Sequence, residues 1–183
     1  MMSTKEQRYS LGIALSLIAL AVSLRLLPHP ANFAPVAAVA IFGGAALPRR
    51  LAVWLPVAAM ALSDALIGFY DYRVMAVVWA SYLLIALASN RWLQQRGLKT
   101  GVLLTVSGSI FFFLTTNFAV WVWGGMYAHN WTGLAQCYAM ALPFFRNTFL
   151  SDLFYTATLF GLYAYAMRVA GIRVISTAKV TSK

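Results

Sequence analysis

The chain has 183 residues, of which 62% are hydrophobic and 10% are charged, and its formal net charge is +10. Soluble domains contain roughly 25% charged residues, so the composition excludes a water-soluble globule, and the apolar content excludes a disordered chain. The basic residues are scattered singly or in pairs between apolar runs, which is typical of orientation in a bilayer rather than of nucleic-acid binding. The composition therefore predicts an integral membrane protein with the lipid bilayer, and no nucleic acid, as a partner.

Six apolar segments are long enough, some only with their flanks, to cross a bilayer core, which requires about 20 residues of helix. Their apolar runs are continuous rather than alternating, which favours helices over strands. The fold class predicted is an all-α membrane protein, a single domain of six transmembrane helices in a compact bundle. In chain order the predicted spans are 10–27, 32–47, 51–70, 74–90, 101–123 and 149–170.

The first two spans carry local features that bear on their roles. Lys5 and Arg8 precede the first, as in a secretory signal, but no small-residue cleavage site follows before Arg25, so we expect a retained helix. The second is short and rich in Gly and Ala, with Pro35 in its first turn. Short spans marked by Pro and Gly often line cavities instead of facing lipid.

The distribution of basic residues predicts the orientation of the chain. With the N-terminus in the cytoplasm, 11 of the 14 Lys and Arg residues fall on the cytoplasmic side and 3 on the outer side. Positive residues are retained on the cytoplasmic side of membranes. We therefore expect both termini to be cytoplasmic in a multi-pass protein of the bacterial inner membrane.

Polar side chains within the spans collect in the outer half, where Asp64, Asn117 and Asp152 lie on three different spans. A charge in mid-span costs about 2.5–3.5 kcal/mol on insertion scales, so such residues mark function or internal pairing. Trp121 and Tyr155 lie one helical turn beyond Asn117 and Asp152, on the same faces. If these faces converge, they enclose an aromatic-lined small-molecule site.

Less specific interpretations of the same residues stay open. Asp64 and Asp152 are equally explained by ion pairs with arginines that join helix ends, and Asn117 by an interhelical hydrogen bond. Trp121 also fits an outer belt of interfacial aromatic residues.

The segment 124–147 between the last two spans is long and apolar for a connection. We expect it to form a lid over the outer mouth, with a short helix from Thr132 to Ala141 that ends before Pro143; a passive interfacial helix is the alternative. Cys137 lies within it and Arg146 near its end, where the guanidinium is placed to orient a ligand. A lone thiol is usually a small buried apolar group, and a ligating role is the less common alternative.

Motifs for several enzyme and transporter classes are missing from the sequence. There is no phosphate-binding G-x-x-x-x-G-K-[ST] loop, no H-E-x-x-H, no G-x-S-x-G and no paired Cys/His spacing. The sequence thus predicts a protein that is not an enzyme and has no intrinsic cofactor.

Two blocks of the chain resemble known membrane proteins. The stretch from Asn32 to Gly68, with a proline opening a span, a Gly-Gly, a basic turn and an acid near the end of the next span, resembles helices two and three of the substrate-binding S components of energy-coupling-factor (ECF) vitamin transporters. The stretch from Asn117 to Tyr155 is similar to a family of bacterial six-span proteins related to those S components.

The resemblance implies capture of a vitamin-like molecule from the periplasmic side, with the outer loops closing over it. Its partners would be a coupling subunit with two ATPases, or none for a solitary member. Cobalamin is the substrate that we expect, because solitary cobalamin-type members can ligate cobalt through a cysteine, and Cys137 is the candidate here. The first span lacks the A-x-x-x-A patch that often contacts the coupling subunit.

The sequence predicts a substrate-binding or uptake protein whose ligand contacts are made by seven residues. Two other classes stay open: an intramembrane enzyme that uses Asp64 and Asp152 as a carboxylate pair, and a structural subunit of a membrane assembly. The predicted substrate-binding residues are Asp64, Asn117, Trp121, Cys137, Arg146, Asp152 and Tyr155.

Overall fold

The computed structural model of the chain describes residues 4–93 and 98–169, and every regular element in these two ranges is a helix. The predicted all-helical fold with six helices is therefore confirmed. The predicted end of the sixth span, residue 170, lies outside the described residues. The helices are α1 (Thr4–Leu26), α2 (Val36–Ala46), α3 (Arg49–Ile67), α4 (Tyr72–Trp92), α5 (Leu98–Trp123) and α6 (Trp131–Val169).

Three of the described helices are long and apolar enough to cross a membrane: α3, α4 and the segment Lys99–Trp123 of α5. The apolar part of α1, Ser10–Leu26, is shorter, and α2 has only 11 residues. The lengths and composition of these helices are those of a membrane protein. At a rise of about 1.5 Å per residue, α2 covers about 16 Å, or roughly half of a hydrocarbon core of about 30 Å.

The short helix α2 lies in the middle of the bundle and packs against α3, α4, α5 and α6. Its residues from Val36 to Gly44 are all buried. It begins directly after Pro35, whose fixed φ suits the start of a helix, and it ends where Leu47 becomes extended ahead of Pro48. Its all-round apolar sequence fits this central position, since a helix that is hydrophobic on every face is buried on every face.

Close packing and hydrogen bonds from α4 hold the C-terminal half of α2. The Ser89 hydroxyl donates to the Ile41 carbonyl at 2.7 Å, and the Asn90 side-chain amide donates to the Gly44 carbonyl at 3.0 Å. A Cβ atom at Gly44 would lie 2.6 Å from the Cβ of Ser89, so only glycine permits this approach. The two helices are therefore fixed to each other at this level.

The N-terminal half of α6 corrects a prediction from the sequence. Most of the predicted loop 124–147 is helical: only residues 124–130 connect α5 to α6, and α6 continues through Pro143 instead of ending before it. Tyr138 and Phe145, on either side of that proline, both pack against the Phe113 ring of α5. This packing keeps the helix continuous across a residue that, on local preference alone, would end it.

Candidate functional site

A cavity of about 570 Å³ lies at the end of the bundle that holds the α1–α2 and α3–α4 connections. His29, Asn32 and Tyr70 of these connections line it, together with residues from each of the six helices. Its lining includes Val36, the first residue of α2, so the cavity occupies the space into which a longer α2 would extend. The volume is within the range of about 300–1,000 Å³ that is typical of small-molecule pockets.

Asp152 is the charged side chain most deeply buried in this lining. It is 2% exposed, and its Oδ2 atom accepts a hydrogen bond of 2.6 Å from the Ser109 hydroxyl of α5. Its Oδ1 atom has no hydrogen-bond or ion-pair partner among residues 4–93 and 98–169. One residue earlier, the Ser151 hydroxyl donates to the Ala34 carbonyl at 3.2 Å, which positions this part of α6 against the α1–α2 connection.

Asp64 is equally buried, at 1% exposed, but it is not part of the cavity lining. Its Oδ1 atom forms an ion pair of 2.9 Å with Arg25 Nη2, and its Oδ2 atom accepts a hydrogen bond of 2.8 Å from Trp79 Nε1. Arg25 does line the cavity, and its Nη1 atom donates to Ser63 Oγ and contacts Met60 Sδ. For Asp64, the pairing interpretation is therefore the one that the structure favours.

Asn117 lines the cavity from α5, as predicted. Its side-chain amide nitrogen donates to the Phe113 carbonyl one turn earlier, at 2.8 Å. Its main-chain carbonyl accepts a 3.4 Å hydrogen bond from the Cys137 thiol. Of the predicted site residues, the structure thus brings Asn117 and Asp152 together around one cavity.

Trp121 and Tyr155 lie outside the cavity lining. Trp121 Nε1 donates to the Ala128 carbonyl at 2.9 Å, and its ring packs edge-on against His129. The Tyr155 ring packs against Phe33, with 5.7 Å between ring centroids. Both side chains stabilise connections at this end of the bundle.

Cys137 and Arg146 also lie outside the lining. The Cys137 thiol is buried, at 1% exposed, against α5. Arg146 is exposed on α6 and forms no ion pair within the part of the chain that the structure describes. Neither side chain is presented to the cavity.

Six aromatic side chains line the cavity, and none of them is among the seven predicted binding residues; Tyr82 and Phe112 are a packed pair within this set. Their rings lie 4.7 Å apart, between α4 and α5. The signal was present in the sequence, because Val74, Val78 and Tyr82 follow each other at intervals of four residues, which places them on one face of α4. The six are Tyr70, Tyr82, Phe112, Phe113, Phe144 and Phe145.

Tyr70 lines the cavity from the α3–α4 connection, outside the helices. Its burial and the nearby Asp64 carboxylate, partly offset by Arg25, raise the pKa of Tyr70 to about 12. The Tyr70 side chain is thus a neutral phenol in the cavity lining.

Comparison with known proteins gives a family but no activity. The model of a family of unknown function, DUF6580, matches residues 5–174. The chain belongs to this family. No curated protein and no solved structure matches the DUF6580 chain.

The groups that line this site of the DUF6580 chain determine what it can contact. Within the described residues, no three His, Cys, Asp or Glu side chains lie close enough together to hold a metal ion. Asp64 and Asp152 do not share the cavity, because the Asp64 carboxylate lies behind Arg25 and Trp79. The cavity is lined by one buried carboxylate, two amides, a guanidinium that is paired with Asp64, an imidazole, a few hydroxyls and six aromatic rings.

Proposed function

We propose that this protein binds a small organic molecule at the outer side of a bacterial inner membrane, as the substrate-binding component of an uptake system. The observation that carries the proposal is the cavity of about 570 Å³ on which Asn117 of α5 and Asp152 of α6 converge. Polar groups within a membrane helix are costly, and here two of them, on different helices, line one cavity.

The charges at the two ends of the bundle support an outward-facing cavity. Arg49, Arg50, Arg91, Lys99 and Arg168 all lie at the ends of helices opposite the cavity. Basic residues are retained on the cytoplasmic side, so this distribution favours a cavity that opens away from the cytoplasm and termini that lie within it.

The resemblance to ECF S components supports an uptake role, with a coupling subunit and its ATPases as partners, or with none. Cobalamin stays a prediction from that resemblance. Two observations favour a smaller occupant: the cavity volume is that of a pocket for a drug-sized molecule, and the Cys137 thiol is directed to the Asn117 carbonyl and not to the cavity.

Native mass spectrometry of the full chain, purified in a mild detergent, tests the proposal. We expect a co-purified small molecule on the wild-type protein. Thr148→Phe, which places a ring into the cavity from α6, should remove that mass. Thr158→Phe is the matched control, because Thr158 is an exposed residue of the same helix and does not line the cavity.

The two variants separate the possible outcomes. Retention of the bound mass by Thr158→Phe and its loss from Thr148→Phe would support the cavity as the binding site. The same mass on both variants would place the molecule elsewhere and refute the site. A wild-type protein without any bound molecule, isolated only within a constant complex, would favour a structural subunit instead.

A further inference from the structure

The charges of the cavity lining do not balance. Arg25 and Asp152 are the arginine and the aspartate of the lining, and of the two only Arg25 has an ionic partner among the described residues. The Asp64 carboxylate, 2.9 Å from Arg25 Nη2, neutralises that guanidinium, whose second terminal nitrogen is engaged by Ser63 and Met60. His29, the other basic side chain of the lining, is exposed, with Nδ1 2.6 Å from the Leu27 carbonyl oxygen. The charge left without a counter-ion is that of Asp152.

A buried carboxylate without a cation is costly, because the low dielectric of the interior does not replace the water that it has lost. The other two aspartates of the described residues each have an arginine, Asp64 with Arg25 and Asp71 with Arg73. Asp152 has the hydrogen bond from Ser109 and an open oxygen beside the cavity. A positively charged guest would supply the missing counter-ion.

The rest of the lining suits a cation that carries apolar groups. Aromatic faces attract ammonium and guanidinium groups through their quadrupole, and desolvated sites strengthen this attraction. Tyr82 and Phe112 form one aromatic wall of the cavity, and Phe113 and Phe145, with ring centroids 4.6 Å apart, form another. Tyr82 and Asp152 line the same cavity, so an aromatic ring and the carboxylate are both available to one occupant.

We infer that the molecule bound in this cavity is an organic cation, a substituted or quaternary amine whose charge lies against Asp152 and whose apolar groups contact the aromatic walls. This inference rests on the proposed function, since it assigns a chemical class to the occupant of the same site. A carboxylate-bearing or phosphate-bearing ligand is disfavoured, because it would meet the Asp152 carboxylate, while the Arg25 guanidinium of the lining is already paired with Asp64.

Two probes of almost the same shape test the charge. Benzyltrimethylammonium carries a fixed positive charge, and 2-methyl-1-phenylpropan-2-ol replaces its charged group with a neutral alcohol of similar size. Binding is measured by isothermal titration calorimetry on the full chain in a maltoside detergent, because phosphocholine detergents themselves carry a quaternary ammonium. We expect the wild-type protein to bind the cation at least tenfold more tightly than the alcohol.

Asp152→Asn should abolish this preference, because the amide keeps the shape of the side chain and removes its charge. Asp71→Asn is the matched control. Asp71 lies outside the cavity lining and caps α4 by accepting hydrogen bonds from the main-chain nitrogens of Arg73 and Val74, which an asparagine oxygen also accepts. The control should keep the tenfold preference, and Thr148→Phe should remove binding of both probes.

The outcomes separate the inference from the proposed function. If both probes bind the wild-type protein equally and Thr148→Phe blocks them, the inference that the ligand is a cation would be overturned. The small-molecule site itself would remain supported. A preference for the cation that survives Asp152→Asn would also overturn the inference. If neither probe binds while a co-purified molecule is present, the class of ligand is wrong; if nothing co-purifies either, the proposed function fails as well.

Discussion

Asp64 and Asp152 are both buried carboxylates of membrane-type helices, at 1% and 2% exposed, yet their surroundings differ completely. Asp64 has its Oδ1 against Arg25 and its Oδ2 against Trp79, so both oxygens are used within the protein. Asp152 has one oxygen on Ser109 and the other beside a cavity. The first carboxylate joins helices α1, α3 and α4 to one another, and the second is available to something that is not part of the chain.

The largest loss of stability is expected when the cation beside Asp64 is removed. Arg25→Met should lower the free energy of unfolding by about 3–5 kcal/mol, because it leaves a buried carboxylate without its counter-ion. Equilibrium denaturation in mixed micelles measures this. Adding Asp64→Leu to the same chain should recover most of the loss, since replacing both charges with apolar groups is often close to neutral. A double variant as unstable as Arg25→Met alone would contradict this interpretation.

Removal of the second interaction of Asp64, its hydrogen bond from Trp79, should lower stability by less. Trp79→Phe removes the 2.8 Å hydrogen bond to Oδ2 and should cost about 1.5–3 kcal/mol, the typical contribution of a hydrogen bond to a charged group. The control is Trp54→Phe on α3, where the side chain is 64% exposed. Equal losses of stability in the two variants would show that the indole contributes apolar contact and not a hydrogen bond.

A third variant tests whether the hollow around Asp152 is confined to one end of the bundle. Gly44→Ala should cost about 1–3 kcal/mol, because the added methyl group overlaps Ser89 at the level where α2 and α4 are tightly packed. Gly161→Ala, with no heavy atom within 4 Å of its added carbon, should instead be neutral or stabilising by up to about 1 kcal/mol. A well-tolerated Gly44→Ala would mean that the bundle is loose on this side too.

The smallest effect on stability is expected at Asp152 itself. Asp152→Asn should not lower the free energy of unfolding, because the amide oxygen still accepts from Ser109, no ion pair is lost, and a buried charge without a cation is removed. The same denaturation measurement applies. A loss as large as that of Arg25→Met would show that the Asp152 carboxylate supports the fold in the way that the Asp64 carboxylate does.

The helical fold could be predicted from the sequence because continuous apolar runs specify helices whatever they later pack against. The short second helix could be predicted as well, since its Gly and Ala content and Pro35 are local features. The continuity of α6 could not. Pro143 ends a helix on local preference, and it is overruled here by contacts with α5 that lie about 30 residues away along the chain.

The partners of the two aspartates could not be predicted either. Arg25 and Asp64 are 39 positions apart, and only the packing of α1 on α3 brings them together. The position of Trp121 could not be predicted either. It lies near the end of α5, where its Nε1 donates to the Ala128 carbonyl of the α5–α6 connection, beyond the cavity that Asn117 lines.

The position of α2 also limits the routes that a guest can take. A molecule that enters the cavity contacts Val36 at the start of α2. Further along α2, the Ile41 and Gly44 carbonyls accept hydrogen bonds from Ser89 and Asn90 of α4. Along the bundle axis, the cavity is therefore closed at the end where α2 begins. Passage straight through would require α2 to separate from α4, so delivery to the opposite face would depend on reorientation of the whole bundle or on helices parting sideways.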